Sequence, residues 1–106
     1  MRKRRQFVKI KKNDELINQT SQLFKVLGDP TRLQILLLLS EEETNVGNIA
    51  KQLGMEQSAV SHQLKLLRLN HVIKSRKDGK SVHYSLDDQH VLDILSQTIQ
   101  HISHSK

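Results

Sequence analysis

Residues 46–70 read VGNIAKQLGMEQSAVSHQLKLLRLN and contain two helical patterns separated by a glycine. The apolar residues of the first pattern recur at helical spacing and line one face: Val46, Ile49, Ala50 and Leu53. Gly54 follows directly, where a left-handed residue commonly ends a helix. The second pattern runs from near residue 57 to about residue 70, with an inner stripe of Val60, Leu64 and Leu67. Two helices joined by a short glycine-containing turn predict a helix-turn-helix.

The second helix of this pair carries its polar side chains in one sector, away from the apolar stripe. Small hydrogen-bonding groups lie at its N-terminal end and cations lie further along, as a recognition helix needs for base edges and phosphates. We therefore expect five of its residues to contact DNA: Gln57, Ser58, Ser61, His62 and Lys65. The alternative is an ordinary amphipathic helix on the protein surface.

After residue 71 the apolar period changes from helical to alternating. Residues 72–77 and 81–86 are β-prone, and Asp78-Gly79 between them is a strong signal for a tight hairpin. This predicts a β-wing rich in basic residues, of which Arg76, Lys77 and Lys80 would contact the flanking phosphates or the minor groove. The alternative is that these charges protect a strand edge from aggregation.

Helical patterns flank this region on both sides. The first begins at Asp14 and ends at Gly28, and Asp29-Pro30 supplies an N-cap and a first-turn proline for a second helix over about 30–40. That second helix is apolar almost all round, which predicts the buried centre. A last helix spans about 88–103. The predicted fold is mainly α with a β-hairpin wing, a winged helix-turn-helix that dimerises through its first and last helices.

Charge divides the chain into two parts. Residues 1–12 hold seven Lys and Arg and no acid, whereas 13–106 hold ten Lys and Arg against eleven acids. We predict a basic tail over 1–12, which either follows phosphates or serves as a solubilising end, and one domain over 13–106. No apolar run is long enough to span a membrane, and no apolar segment follows the basic start, so we expect a cytoplasmic protein with no membrane partner.

Cysteine is absent from the sequence, which excludes disulfides, thiol catalysis and thiolate metal sites. Four other potential ligands lie along the last helix: Asp88, His90, His101 and His104. His90 and His101 would stand about 16 Å apart along a helix, whereas zinc ligands lie about 2 Å from the metal. Two such helices packed antiparallel across a twofold axis would form two identical sites. The alternative is a histidine-rich helix end exposed to solvent.

Three segments together resemble the ArsR/SmtB family of metal-sensing repressors. They are LGDPTRLQIL at 27–36, QSAVSHQLKLL at 57–67 and KDGKSVHYSL at 77–86. The resemblance covers about 14–104 and is greatest to the zinc-responsive CzrA/SmtB branch, whose site on the C-terminal helix matches the four ligands named above. It implies a homodimer that binds double-stranded operator DNA and leaves it when the effector binds, with Zn(II) as the expected metal and Co(II) as the alternative. The chain departs from the family's thiolate site, because Asn45-Val-Gly-Asn-Ile contains no cysteine.

We therefore predict a metal-responsive repressor, with zinc as the expected metal, that binds a palindromic operator as the apo dimer and is released on metal binding, and not an enzyme. One alternative is a winged-helix regulator of the same fold with a non-metal effector, and another is an architectural DNA-binding protein. A small zinc hydrolase is disfavoured, because four protein ligands leave no open coordination position for a substrate.

Overall fold

The computed structural model describes residues 13–104. Within them the chain forms five helices and one antiparallel hairpin. The helices are α1 (Asp14–Leu27), α2 (Pro30–Glu41), α3 (Val46–Leu53), α4 (Gln57–Leu69) and α5 (Gln89–His104). The hairpin strands are β1 (Ile73–Asp78) and β2 (Ser81–Leu86). The predicted winged helix-turn-helix is confirmed, with α3 and α4 as the helix pair and the hairpin as the wing.

Local capping explains where the helices begin and end. The side chains of Asn13, Asp29 and Asn45 each accept a hydrogen bond from a backbone N–H in the first turn of the helix that follows, at 2.7, 3.0 and 2.9 Å. Such contacts satisfy N–H groups that have no partner within the helix. Gly54 ends α3 with φ 65° and ψ 39°, the left-handed conformation expected from the sequence.

The core lies where α2, the helix pair and the base of the wing meet. Ile35, Ile49 and Val60 are fully buried there, together with Leu36, Leu64, Leu67, Val72 and Ile73. The prediction that α2 forms the centre is confirmed for three of its residues, Ile35, Leu36 and Leu39. Leu37 of the same helix remains 39% exposed, so α2 is not buried on every side within one chain.

The wing pairs in register from Ile73 with Leu86 to Asp78 with Ser81, which leaves Gly79 and Lys80 as the two-residue turn. The expected turn pair was Asp78-Gly79, so the turn lies one residue further along. Only Gly79 of this pair has a positive φ, 63°, which is the pattern of a type II′ turn with glycine first. On the other edge of β2, Thr44 exchanges two backbone hydrogen bonds with Tyr84, at 3.1 and 2.7 Å.

In the described part of the chain, α1 and α5 each expose more than one large apolar side chain. On α1 these are Leu16, Ile17 and Phe24, at 38, 54 and 62% exposure, and on α5 they are Ile99 and Ile102, at 43 and 56%. Only Val26 and Leu27 of α1 are buried. The apolar stripe of the first helix is therefore directed mostly outward rather than into the core. None of the helices described is long and apolar enough to cross a membrane.

Candidate DNA interface and metal centre

All five residues predicted to contact DNA from the recognition helix lie on the exposed face of α4. Gln57, Ser58, Ser61, His62 and Lys65 are exposed. The opposite face is anchored in the core by Val60, Leu64 and Leu67, each at most 1% exposed. This burial holds the helix in one rotation about its axis, so its polar sector is presented outward as a unit.

Arg32 joins three elements with one side chain. Its Nε donates to the Val26 carbonyl at 2.7 Å and its Nη2 donates to the Lys25 carbonyl at 3.2 Å, both at the end of α1. Its Nη1 donates to Oε1 of Gln63, on α4, at 3.3 Å. These bonds satisfy carbonyls left open by the end of a helix and tie α1 to α4. The contact between Arg32 and Gln63 was not predicted, because the two residues are 31 positions apart in the sequence.

The three wing cations predicted to contact DNA differ in their surroundings within the protein. Lys77 and Lys80 are exposed. Arg76 is also exposed, but its guanidinium contacts the Glu43 carboxylate at 2.7 to 3.0 Å. The hydrogen bond from Arg76 holds the pKa of Glu43 below its ordinary value, and the same bond raises the pKa of Arg76. Glu43 was missed as a site residue, since nothing in its local pattern distinguishes it from Glu41 and Glu42.

Two of the four predicted metal ligands lie together at the start of α5. Asp88 is the N-cap, and its Oδ1 accepts from the backbone N–H of Val91 at 3.2 Å and lies 3.5 Å from Nδ1 of His90. Desolvation raises the pKa of Asp88, but the bonds from Val91 and His90 outweigh it, so the pKa lies below its ordinary value. A carboxylate kept ionised beside an imidazole is chemically suited to bind a divalent metal.

The other two predicted ligands, His101 and His104, lie in the last turn of α5. Along a helix, His101 stands about 16 Å from His90. Within residues 13–104, no three His, Asp or Glu side chains of one chain are grouped to hold a metal ion. Within residues 13–104, one chain thus brings together Asp88 and His90 but does not assemble the predicted four-ligand set.

A cavity of about 260 Å³ connects the start of α5 with the turn between α4 and β1. Asp88 and His90 are among the residues that line it, and so are Asn70 and His71. His71 has a left-handed backbone, φ 58°, which is uncommon for a residue with a side chain. The recognition helix ends at this turn, so the predicted ligands and the end of α4 share one small space.

Comparison with known proteins agrees with this architecture. Residues 29–71, which include the helix pair, match the model of the family described as bacterial regulatory protein, arsR family. A transcriptional repressor SmtB homolog of Synechocystis is 37% identical over 87 residues, 82% of this chain and 66% of that protein. A cadmium resistance transcriptional regulatory protein CadC homolog of Staphylococcus aureus is 39% identical over 82 residues, 76% of this chain and 68% of that protein.

A solved structure from Mycobacterium bovis, a homodimeric winged helix-turn-helix DNA-binding domain, superposes with a TM-score of 0.78. It shares 27% identity and covers 88% of each chain. The predicted family is thereby confirmed: the two relatives are transcriptional regulators rather than enzymes, and the solved structure is a DNA-binding domain. The chain belongs to the ArsR family of bacterial regulatory proteins and is a DNA-binding transcriptional regulator with a winged helix-turn-helix fold.

Proposed function

We propose that the chain is a homodimeric, metal-responsive repressor that binds a palindromic operator without metal and releases it when zinc binds. Cobalt, which accepts the same donor set, is the second candidate metal. The observation that carries the proposal is the division of the ligands between the two ends of α5. A regulator of the family acts where the bacterial genome is, so we place it in the cytoplasm.

The DNA interface of this proposal consists of the exposed sector of α4 and the lysines of the wing. Gln57, Ser58, Ser61 and His62 would meet base edges, while Lys65, Lys77 and Lys80 would meet phosphates. Two such surfaces related by a twofold axis would read two half-sites about one helical turn apart. Arg76 was predicted as a phosphate contact as well. Its guanidinium is bonded to the Glu43 carboxylate, which competes with a phosphate for the same N–H groups.

The metal centre of this proposal joins two chains. Asp88 and His90 of one protomer would meet His101 and His104 of the partner subunit, giving two identical sites per dimer. Exposed Ile99 and Ile102 support this packing, because no other described part of the chain covers the apolar side of α5 near the second ligand pair. Three imidazoles and one carboxylate form a set that suits tetrahedral zinc or cobalt. The relationship to a cadmium resistance regulatory protein, the CadC homolog of Staphylococcus aureus, also favours a metal effector.

The cavity between α5 and the end of α4 supports a route from metal to DNA. A ligating histidine usually donates its other N–H to a carbonyl or carboxylate, and the turn at Asn70 and His71 offers such acceptors nearby. Metal binding would fix the position of α5, and this hydrogen bond would in turn shift the position of α4. Because coupling between two ligands is reciprocal, DNA must weaken zinc affinity by the same factor by which zinc weakens DNA affinity.

The experiment measures DNA binding by fluorescence anisotropy, with an operator selected from random duplexes by the apo protein. Asp88→Asn is the informative variant, because asparagine keeps the N-cap and removes the carboxylate. We expect Asp88→Asn and His101→Ala to bind the operator like wild type without zinc and to lose the release by zinc, with two zinc ions per wild-type dimer. Asp93→Ala, which removes an exposed acid from the same helix, is the matched control.

Normal zinc-driven release by the Asp88→Asn, His101→Ala double variant would contradict the site. That result would favour the second candidate, a regulator of the same fold with a non-metal effector.

A further inference from the structure

Glu43 and Arg76 form a bidentate ion pair between two parts of the fold that are distant in sequence. Glu43 lies in the connection between α2 and α3, and Arg76 lies on β1 of the wing, 33 positions away. The Arg76 Nη2 donates to Glu43 Oε1 at 2.7 Å, and its Nε lies 3.0 Å from both carboxylate oxygens. Paired, nearly parallel bonds of this kind impose a geometry as well as an attraction.

The backbone holds the carboxylate in place for this pair. Thr44, the next residue, exchanges two hydrogen bonds with Tyr84 of β2. The connection before α3 therefore runs along the outer edge of the wing. The backbone of Glu43 is fixed there, so its side chain lies within reach of Arg76. The helix pair and the wing are joined at this edge by backbone pairing and by one ion pair.

The pleat of the hairpin separates Arg76 from Lys77. Successive side chains of a strand point to opposite faces, so Arg76 shares its face with its partner His83, and Lys77 shares the other face with Val82. Ile73, which lies on the same face as Lys77, is buried in the core. Arg76 thus lies on the outer face of the wing, beside Glu43.

The charges around Arg76 disfavour a phosphate there. Besides Glu43, the Asp78 carboxylate lies 4.0 Å from Arg76 Nη1, so two acids surround one cation. We infer that Glu43 is a positioning residue that braces the wing against the helix pair through Arg76, and that Arg76 does not contact DNA phosphate. This inference rests on the proposed DNA interface, in which Lys77 and Lys80 supply the phosphate contacts of the wing.

The two possible roles of Arg76 predict opposite effects of Glu43→Gln. If Arg76 bound phosphate, Glu43 would compete with it, and Glu43→Gln would raise DNA affinity. If the pair is a brace, Glu43→Gln and Arg76→Gln each lower affinity, and the double variant loses no more than either single variant. From the usual strength of exposed ion pairs, we expect about threefold per wing and about tenfold per dimer.

The experiment is an anisotropy titration of the selected operator at several salt concentrations, using the full-length apo protein. Glu42→Gln is the matched control, because it removes the same charge one residue away. Lys77→Gln is the positive control for a phosphate contact and should flatten the salt slope by about 0.9 per protomer. Arg76→Gln should leave the slope unchanged, and the charge swap Glu43→Arg with Arg76→Glu should recover part of the lost affinity.

A gain of affinity in Glu43→Gln relative to Glu42→Gln would overturn the inference, as would a flatter salt slope in Arg76→Gln. Unchanged affinity in both single variants would also overturn it. Failure of the wild type to bind any selected DNA would instead contradict the proposed interface, so the two failures are distinguishable. Circular dichroism of each variant confirms that the helices are retained.

Discussion

Phe24 offers the sharpest test of how the chain assembles. Its side chain is 62% exposed on α1, although it belongs to the apolar stripe of that helix. We predict that a second copy covers it, as part of a dimer through α1 and α5, and that Phe24→Ser produces a monomer.

The magnitude follows from the exposed area. A phenylalanine can bury about 200 Å². At 62% exposure, about 120 Å² remains to be covered. At about 25 cal/mol per Å², covering this area contributes about 3 kcal/mol per protomer and about 6 kcal/mol per symmetric dimer, as an upper bound. Even half of that total weakens dimerisation more than about a hundredfold.

Sedimentation velocity at micromolar concentrations measures the effect. Leu69→Ser is the matched control, because Leu69 is also 62% exposed but lies on α4 rather than on α1 or α5. We expect wild type and Leu69→Ser to sediment as dimers and Phe24→Ser as a monomer. A dimer of unchanged affinity in Phe24→Ser would refute the reasoning, as would equal dissociation of Leu69→Ser.

Three further predictions concern stability, each measured by urea unfolding at one fixed protein concentration. Ile35→Ala, at a position with no exposure, should lower the free energy of unfolding by about 2–5 kcal/mol, and a loss well below this range would show that the site collapses around the cavity. Gly54→Ala should cost about 1 kcal/mol, because φ is 65° while no atom lies within 4 Å of the added Cβ; an unchanged stability would contradict the backbone argument. The lowered pKa of Glu43 means that its contribution is present above the ordinary glutamate pKa and is lost as the pH falls through the folded value. The stability difference between wild type and Glu43→Gln should therefore shrink in acid, and a difference that grows in acid would contradict the sign.

Local signals predicted most of the fold. Asp29 and Pro30 mark the start of α2, and Gly54 marks the end of α3, because capping and left-handed backbone depend only on neighbouring residues. The hairpin was predicted, but its turn lies at Gly79 and Lys80. Asp-Gly is a signal for a turn in general, whereas the position of the turn follows from which residues face each other across the strands.

The sequence by itself determined the order of the elements, the polar face of α4 and the placement of four potential ligands on one helix. These properties depend on helical and strand periodicity, which is local. Only the tertiary structure decided what lies opposite each face: Glu43 beside Arg76, Gln63 beside Arg32, and, among residues 13–104, no cover for Phe24. Periodicity states which side of an element is buried or polar, but the residue that meets it is chosen by core packing between segments some 30 positions apart.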